Sequence, residues 1–379
     1  MSDAVRPFEI HVTDDVLADL RRRLHATRWP EPEVVDDWTQ GIPLSYVQEL
    51  AAYWADEYDW RSREAALDRW PGFITEIDGV DIHFLDVRSP HDGAMPIVIT
   101  HGWPGSIVEF QEIIGPLTDP TAHGGDAADA FHVVCPTLPG YGFSGKPTSV
   151  GFGVERIARA WDELMGRLGF ESYVAQGGDW GSAVTSYIGM IGSSRCAAIH
   201  TNMPVAGPDP DAMDDLTEQE VAALDALGYY STWDSGYSKQ QSTRPQTLGY
   251  ALTDSPAGQL AWIMEKFWSW TDRSGHPEDS FDRDRLLDNA MFYWATASAT
   301  SSARLYWESF ADFGDDTIDI PTMCSLFPNE IIASSRRWAE RRYTDIRYWN
   351  ELDHGGHFPA FEVPDLFVAE LRAAFRQLR

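Results

Sequence analysis

The sequence predicts an α/β protein: a mostly parallel central sheet with helices on both faces, a helical insertion, and an N-terminal extension. Three observations predict it. From about residue 96, short apolar runs rich in β-branched residues ("MPIVIT", "FHVVCPTL", "SYVAQGG", "CAAIHTN") alternate with helix-like stretches such as "SIVEFQEIIGPL" and "VERIARAWDELMGRLG". Strands joined through helices run parallel and are buried on both faces. The alternation stops near residue 203, and aromatic, helix-patterned sequence follows, including "QLAWIMEKFWSWTD" and "LLDNAMFYWATASATSSARLYWESF". Strand-like runs then resume with "IPTMCSLF" and "IRYWNEL", and the amphipathic "VPDLFVAELRAAFRQL" closes the chain.

Ahead of the alternating region, "VTDDVLADLRRRLHATRW" and "PLSYVQELAAYWADEY" have helical spacing. "FITEIDGVDIHFLDV" reads as two strands turning at Asp78-Gly79, a strong hairpin signal. The expected division is an extension over 1–90, the first part of the core over 91–204, a helical lid over 205–318, and the rest of the core over 319–379. In 379 residues, 43% hydrophobic and 23% charged content describes a packed globule. A net charge of -30 excludes nucleic acid and anionic membrane surfaces as natural partners. No secretory signal is visible, and the apolar runs are too short to span a bilayer. Cys135, Cys196 and Cys324 are expected to be free buried thiols, and a cytoplasmic location fits them. Sixteen tryptophans suit both a core and a pocket for a bulky apolar small molecule. A homodimer is compatible with the sequence.

The chemistry centres on "QGGDWGS", residues 176–182, which follows an apolar strand and opens a helical stretch. Its glycines are spaced as around the serine of a nucleophile elbow, with Asp179 in the serine's place. On this stretch alone two readings stand: Asp179 is a nucleophile at a helix N-terminus, or it is an ordinary helix cap. "DHGGHFPAFEVPD" supplies His357 in a loop before the last helix, and "LFPNE" supplies Glu330, 27 residues earlier and just past a strand. The order nucleophile, acid, histidine is that of an α/β-hydrolase triad. Asp353 is a rival for the acid. His354 and His357 could also pair on a metal, but no second ligand cluster accompanies them, and no metal is expected. "ITHGWPGS" can aim the Trp103 backbone N–H, together with that of Trp180, at a developing oxyanion. His101 in that turn is expected to be structural, and Pro104 is compatible with a cis peptide.

Taken together, "HGWPGS", "LPGYGFSGKP", "GGDWGS", "GYSKQQSTRPQTLGYALTDSPAGQLAWIMEKF" and "GGHFPAFE" resemble the epoxide hydrolases of the α/β-hydrolase superfamily. The similarity is to the microsomal-type branch and runs over nearly the whole chain, including the leader "RPFEIHV…TRWP". The resemblance implies an Asp nucleophile at Asp179, a lid that carries an epoxide-binding tyrosine pair at Tyr237 and Tyr306, and no cofactor. The membrane-anchoring helix of vertebrate members is not seen, so a soluble form is expected.

A carboxylate suits that chemistry. It is anionic at neutral pH and can attack an sp³ carbon without a base. The ester so formed would then be opened by water activated by His357. An aromatic lid points to an apolar, aryl-substituted epoxide. The alternatives are a haloalkane or haloacid dehalogenase with the same nucleophile, and a non-catalytic hydrolase-fold ligand-binding protein.

Overall fold

The protein is described by a computed structural model over residues 4–272, 275–310 and 316–379. Among these, nine strands form one sheet: β1 (Arg6–Phe8), β2 (Gly72–Ile77), β3 (Val80–Val87), β4 (Met95–Thr100), β5 (Phe131–Pro136), β6 (Tyr173–Gly177), β7 (Cys196–Thr201), β8 (Thr322–Leu326) and β9 (Ile346–Glu351). Their order is β1-β2-β3-β5-β4-β6-β7-β8-β9. The pairs from β1 to β5 are antiparallel and the rest parallel. Ile97, Val98, Ile99, Val133, Val134, Val174, Ala175 and Ile199 are buried in the central strands, as apolar runs covered on both faces require.

The hairpin turns where the sequence indicates. Asp78 and Gly79 both have positive φ, which matches the twist of the flanking strands. The hairpin is not separate from the core: β3 pairs with β5, so the leading residues extend the main sheet. The short edge strand β1 carries no alternating pattern and is not visible in the sequence.

"SIVEFQEIIGPL" is not one helix. It divides into a 3₁₀ turn, Ile107–Phe110, and a short helix, Ile114–Thr118. A continuous helix would set the Pro116 ring against the Glu112 carbonyl and lose an N–H. Starting at Ile114 instead places Pro116 in a first turn, where no N–H is needed.

Between β7 and β8 lie the helices Glu218–Tyr229, Gly236–Thr243, Pro245–Asp254, Pro256–Ser269, Arg283–Trp294 and Ala299–Ser309, with a π-helical turn at Tyr230–Asp234. The expected segments 205–318 and 1–90 include residues 273–274, 311–315 and 1–3, which lie outside the described set. Among the described residues, no helix is long and apolar enough to cross a membrane. All three cysteines are free and buried.

Candidate active site

Strand β6 ends at Gly177 and the helix Trp180–Met190 begins three residues later, so the chain reverses direction over Gly178-Asp179. Asp179 sits at φ 51°, ψ −128°, outside the usual regions for an L-residue. Such a conformation costs on the order of 1–3 kcal/mol and persists only where the surroundings impose it. The neighbouring glycines make room for it here. A Cβ on Gly177 would fall 2.0 Å from the Gly181 carbonyl oxygen, and one on Gly181 would fall 2.0 Å from that of Thr100. A Cβ on Gly102 would lie 2.1 Å from Asp179 Oδ1.

The Asp179 side chain makes no cap hydrogen bond to its helix, which removes the cap reading. Its Oδ1 instead accepts the Trp103 backbone N–H at 2.7 Å, and its Oδ2 lies 3.4 Å from His357 Nε2. Trp180 opens the helix directly after it. The Trp103–Pro104 peptide is cis. The loop carrying it is held from the helix Arg283–Trp294. Asn289 donates to the Pro104 carbonyl (2.8 Å) and accepts from Ser106 Oγ (2.7 Å), while the Tyr293 hydroxyl donates to the Gly105 carbonyl (2.7 Å). His101 is locked to backbone through both ring nitrogens, Gly102 O at 2.9 Å and Leu138 N at 3.1 Å. Burial depresses its pKa to about 4, so it stays neutral and structural.

His357 lies beyond β9, its backbone N–H donating to the Trp270 carbonyl at 2.8 Å. Its Nδ1 is hydrogen-bonded to Glu330 Oε1. The same oxygen accepts the Ile331 N–H at 2.8 Å, and Oε2 faces Asn202 Nδ2 at 3.4 Å. Asn202 is oriented in turn by Gln176 at 3.0 Å. Burial pushes the His357 pKa down, but the Glu330 and Asp179 carboxylates outweigh it and hold the ring up at about 10. Asp353 is elsewhere: it is exposed and pairs with His354 Nδ1 at 2.6 Å. The two histidines of "HGGH" therefore have separate partners. Among the described residues, no group of three His, Cys, Asp or Glu is placed to hold a metal ion.

Tyr237 and Tyr306 come from different helices, Gly236–Thr243 and Ala299–Ser309, and their rings meet edge to face at 5.8 Å. The Trp103 ring stacks on Tyr237 at 4.8 Å, and Trp180 meets Tyr306 at 4.8 Å. Burial pushes both phenols well above their usual pKa, with the Asp179 charge adding to it. Both stay protonated at neutral pH.

The comparisons with known proteins agree with this arrangement. Residues 5–110 match the family described as "Epoxide hydrolase N terminus", and residues 95–248 match "alpha/beta hydrolase fold". "Epoxide hydrolase 1" of Sus scrofa is 34% identical over 98% of this chain and 88% of its own length. The chain belongs to the epoxide hydrolases. The crystal structure of juvenile hormone epoxide hydrolase from Bombyx mori superposes with a TM-score of 0.90 at 30% identity, covering 100% of this chain and 96% of that one. The structure of Aspergillus niger epoxide hydrolase gives 0.89 at 32% identity, covering 99% and 97%. Relatives of this kind over the full length leave the dehalogenase alternative without support.

Several site residues were not visible in the sequence. The Tyr230 and Tyr237 hydroxyls are hydrogen-bonded at 3.0 Å, and Tyr230 lies in the π-helical turn. Lys266 is buried with its ammonium 4.8 Å from the Tyr237 ring centre and 2.7 Å from Asp234. Only the i, i+7 spacing of the two tyrosines and the lone lysine in an aromatic helix hint at them. Asn202 lies just past β7, where the sequence gives only a strand end, and nothing singled out Glu109.

Proposed function

We propose that this epoxide hydrolase opens an apolar epoxide through a covalent ester on Asp179. One observation carries the reading: the Asp179 carboxylate stands between the Trp103 N–H and His357 Nε2, with Glu330 on the far nitrogen of the imidazole. In the first step an Asp179 oxygen attacks an epoxide carbon, the C–O bond breaks, and the alkoxide takes a proton from Tyr237 or Tyr306. In the second step His357 Nε2 removes a proton from water as its oxygen adds to the ester carbonyl carbon of Asp179. The Trp103 and Trp180 N–H groups receive the oxyanion, a role typically worth about 10²–10³ in rate. Collapse expels the diol oxygen as an alkoxide, which takes the proton back from His357. The regenerated Asp179 carboxylic acid gives its proton to solvent, and the phenolate takes one up from solvent. Glu330 fixes the tautomer and stabilises the imidazolium.

In this reading residues 205–318 act as the lid, because they bring Tyr237 and Tyr306 to the elbow. Aromatic walls from Trp103, Trp180, Trp270 and the two tyrosines support an apolar, aryl-substituted substrate. Free buried thiols support a cytoplasmic setting. The test is a single turnover of styrene oxide in H₂¹⁸O, followed by mass spectrometry of the Asp179 peptide. Label in that carboxylate is expected; label confined to the diol would rule out the ester.

A further inference from the structure

Glu109 sits on the 3₁₀ turn that follows the Trp103 loop, and the two-step reaction above gives it no task. Its carboxyl folds back over Gly105, where a Cβ would fall 1.6 Å from Oε1, so the fifth residue of "HGWPGS" must be glycine to admit it. Together with Asp179 and His357, Glu109 lines a cavity of about 20 Å³, to which Gln176 and Asn202 add polar walls. That volume is sized for a single water with several polar partners. Tyr237 and Tyr306 are not among its walls, so this space is distinct from the phenols that receive the epoxide oxygen.

The charges acting on Glu109 are those of Asp179 and His357, and the Ser106 backbone also hydrogen-bonds its carboxyl. Burial pushes its pKa up to about 8, with Asp179 adding and His357 opposing. The group is therefore a neutral acid at neutral pH. A carboxyl buried beside the reacting atoms costs stability to desolvate, and a fold that keeps one there has a use for it.

We propose that Glu109 positions the water that cleaves the Asp179 ester. The carboxyl C=O accepts one water hydrogen while the other points at His357 Nε2, leaving the water oxygen to add to the ester carbonyl carbon. The second proton passes to His357, Glu109 keeps its own, and one Asp179 oxygen is exchanged for that of water. Glu109 is thus a positioning residue for the second step only. The inference rests on the ester reading above.

The two steps are separated by rapid-quench intact-mass measurement with styrene oxide on Glu109→Met and Glu109→Gln. Glu109→Met should slow ester breakdown at least tenfold and accumulate the adduct, while alkylation stays within about twofold. Glu109→Gln, which keeps an acceptor in the same place, should return breakdown to within about threefold of the parent. A folded Glu109→Met protein with parent-like breakdown, or with both steps slowed alike, would overturn the role. Glu109→Gln as slow as Glu109→Met would overturn it too. Should Glu109→Met fail to fold, Glu109→Asp withdraws the same group by one methylene and carries the same expectations. A His357→Gln control distinguishes the two levels. No adduct there overturns the ester reading itself, whereas an adduct there with normal breakdown in Glu109→Met overturns only the Glu109 role.

Discussion

His357 lies between two carboxylates, and only one of them survives the first step. In the resting protein Glu330 and Asp179 together hold the imidazole near pKa 10, against the downward pull of burial. Once Asp179 becomes an ester its charge is gone, and the ring loses that share of its support. Alkylation therefore converts a poor base into a competent one at the moment a base is needed. The expected outcome is an ester-breakdown rate that rises with pH through a pKa at least one unit below that of resting His357. Rapid-quench decay of the adduct against an NMR titration of His357 checks it, and equal values would sink the idea. The same raised pKa has a consequence for stability. Protonated His357 stabilises the fold fully below about pH 6.5, the unfolded value, and this is lost as pH rises toward 10. The difference in unfolding free energy between the parent and His357→Gln should shrink over that window in urea titrations. Asp179→Asn, lacking the nucleophile's charge, should lose on the order of 10⁴ in rate and form no adduct.

At the scale of elements, the elbow depends on β4, β6 and the helix Trp180–Met190 coming close enough to touch backbone to backbone. Gly181→Ala would drive a Cβ to 2.0 Å from the Thr100 carbonyl oxygen, an atom fixed in the sheet. Its cost should be about 3 kcal/mol or more, at the upper end of overpacking. Gly228, in the helix Glu218–Tyr229, has nothing within 4 Å of a Cβ, so Gly228→Ala should instead gain about 0.5–1 kcal/mol. Chemical denaturation of the two variants makes the comparison. The contrast also shows what was legible in the sequence. Strand-turn-helix punctuation is local, so "GGDWGS", the Asp78-Gly79 hairpin and the buried strands could be read directly. Glu330 and His357 were readable because each follows a strand-like run. Glu109, Asn202 and Tyr230 were not: Asn202 reaches Glu330 from 128 residues away, while Glu109 and Tyr230 lie close in sequence to Trp103 and Tyr237 but are placed by a 3₁₀ turn and a π-helical turn. The π-helical turn at Tyr230–Asp234 breaks the very periodicity such readings rely on.

For the whole molecule, the helix Arg283–Trp294 ties the leading residues to the chemistry. Asp288, with only 1% of its side chain exposed, accepts from the Tyr58 hydroxyl at 2.8 Å and from Arg63 Nε at 2.9 Å, both from the first ninety residues. The next residue, Asn289, and Tyr293 one turn on hold the loop that presents the Trp103 N–H. Trp38 stacking on Trp268 at 4.7 Å, and Arg283 paired with Glu49 at 2.7 Å, reinforce the same union. The extension is therefore part of what keeps the Trp103 N–H in place. Arg63→Leu tests this, since among the described side chains it leaves the buried carboxylate hydrogen-bonded only to the Tyr58 hydroxyl, with the Arg285 charge acting from beyond ion-pair distance. Breaking a buried pair on one side typically costs about 3–5 kcal/mol, and the lower end applies here because Arg63 is partly exposed. Burial already raises the Asp288 pKa, with Arg63 opposing, and removing Arg63 lets it rise further. The folded protein then holds a proton that the unfolded chain releases above about pH 4, so the stability deficit should grow as pH rises. Urea unfolding should show the deficit near 3 kcal/mol at pH 8 and clearly less at pH 5. Arg63→Leu combined with Asp288→Asn, which removes the stranded charge, should recover at least half of the pH 8 loss. A pH-independent deficit that the second substitution does not relieve would show that Arg63 acts through packing alone, and that no buried charge links the extension to the loop.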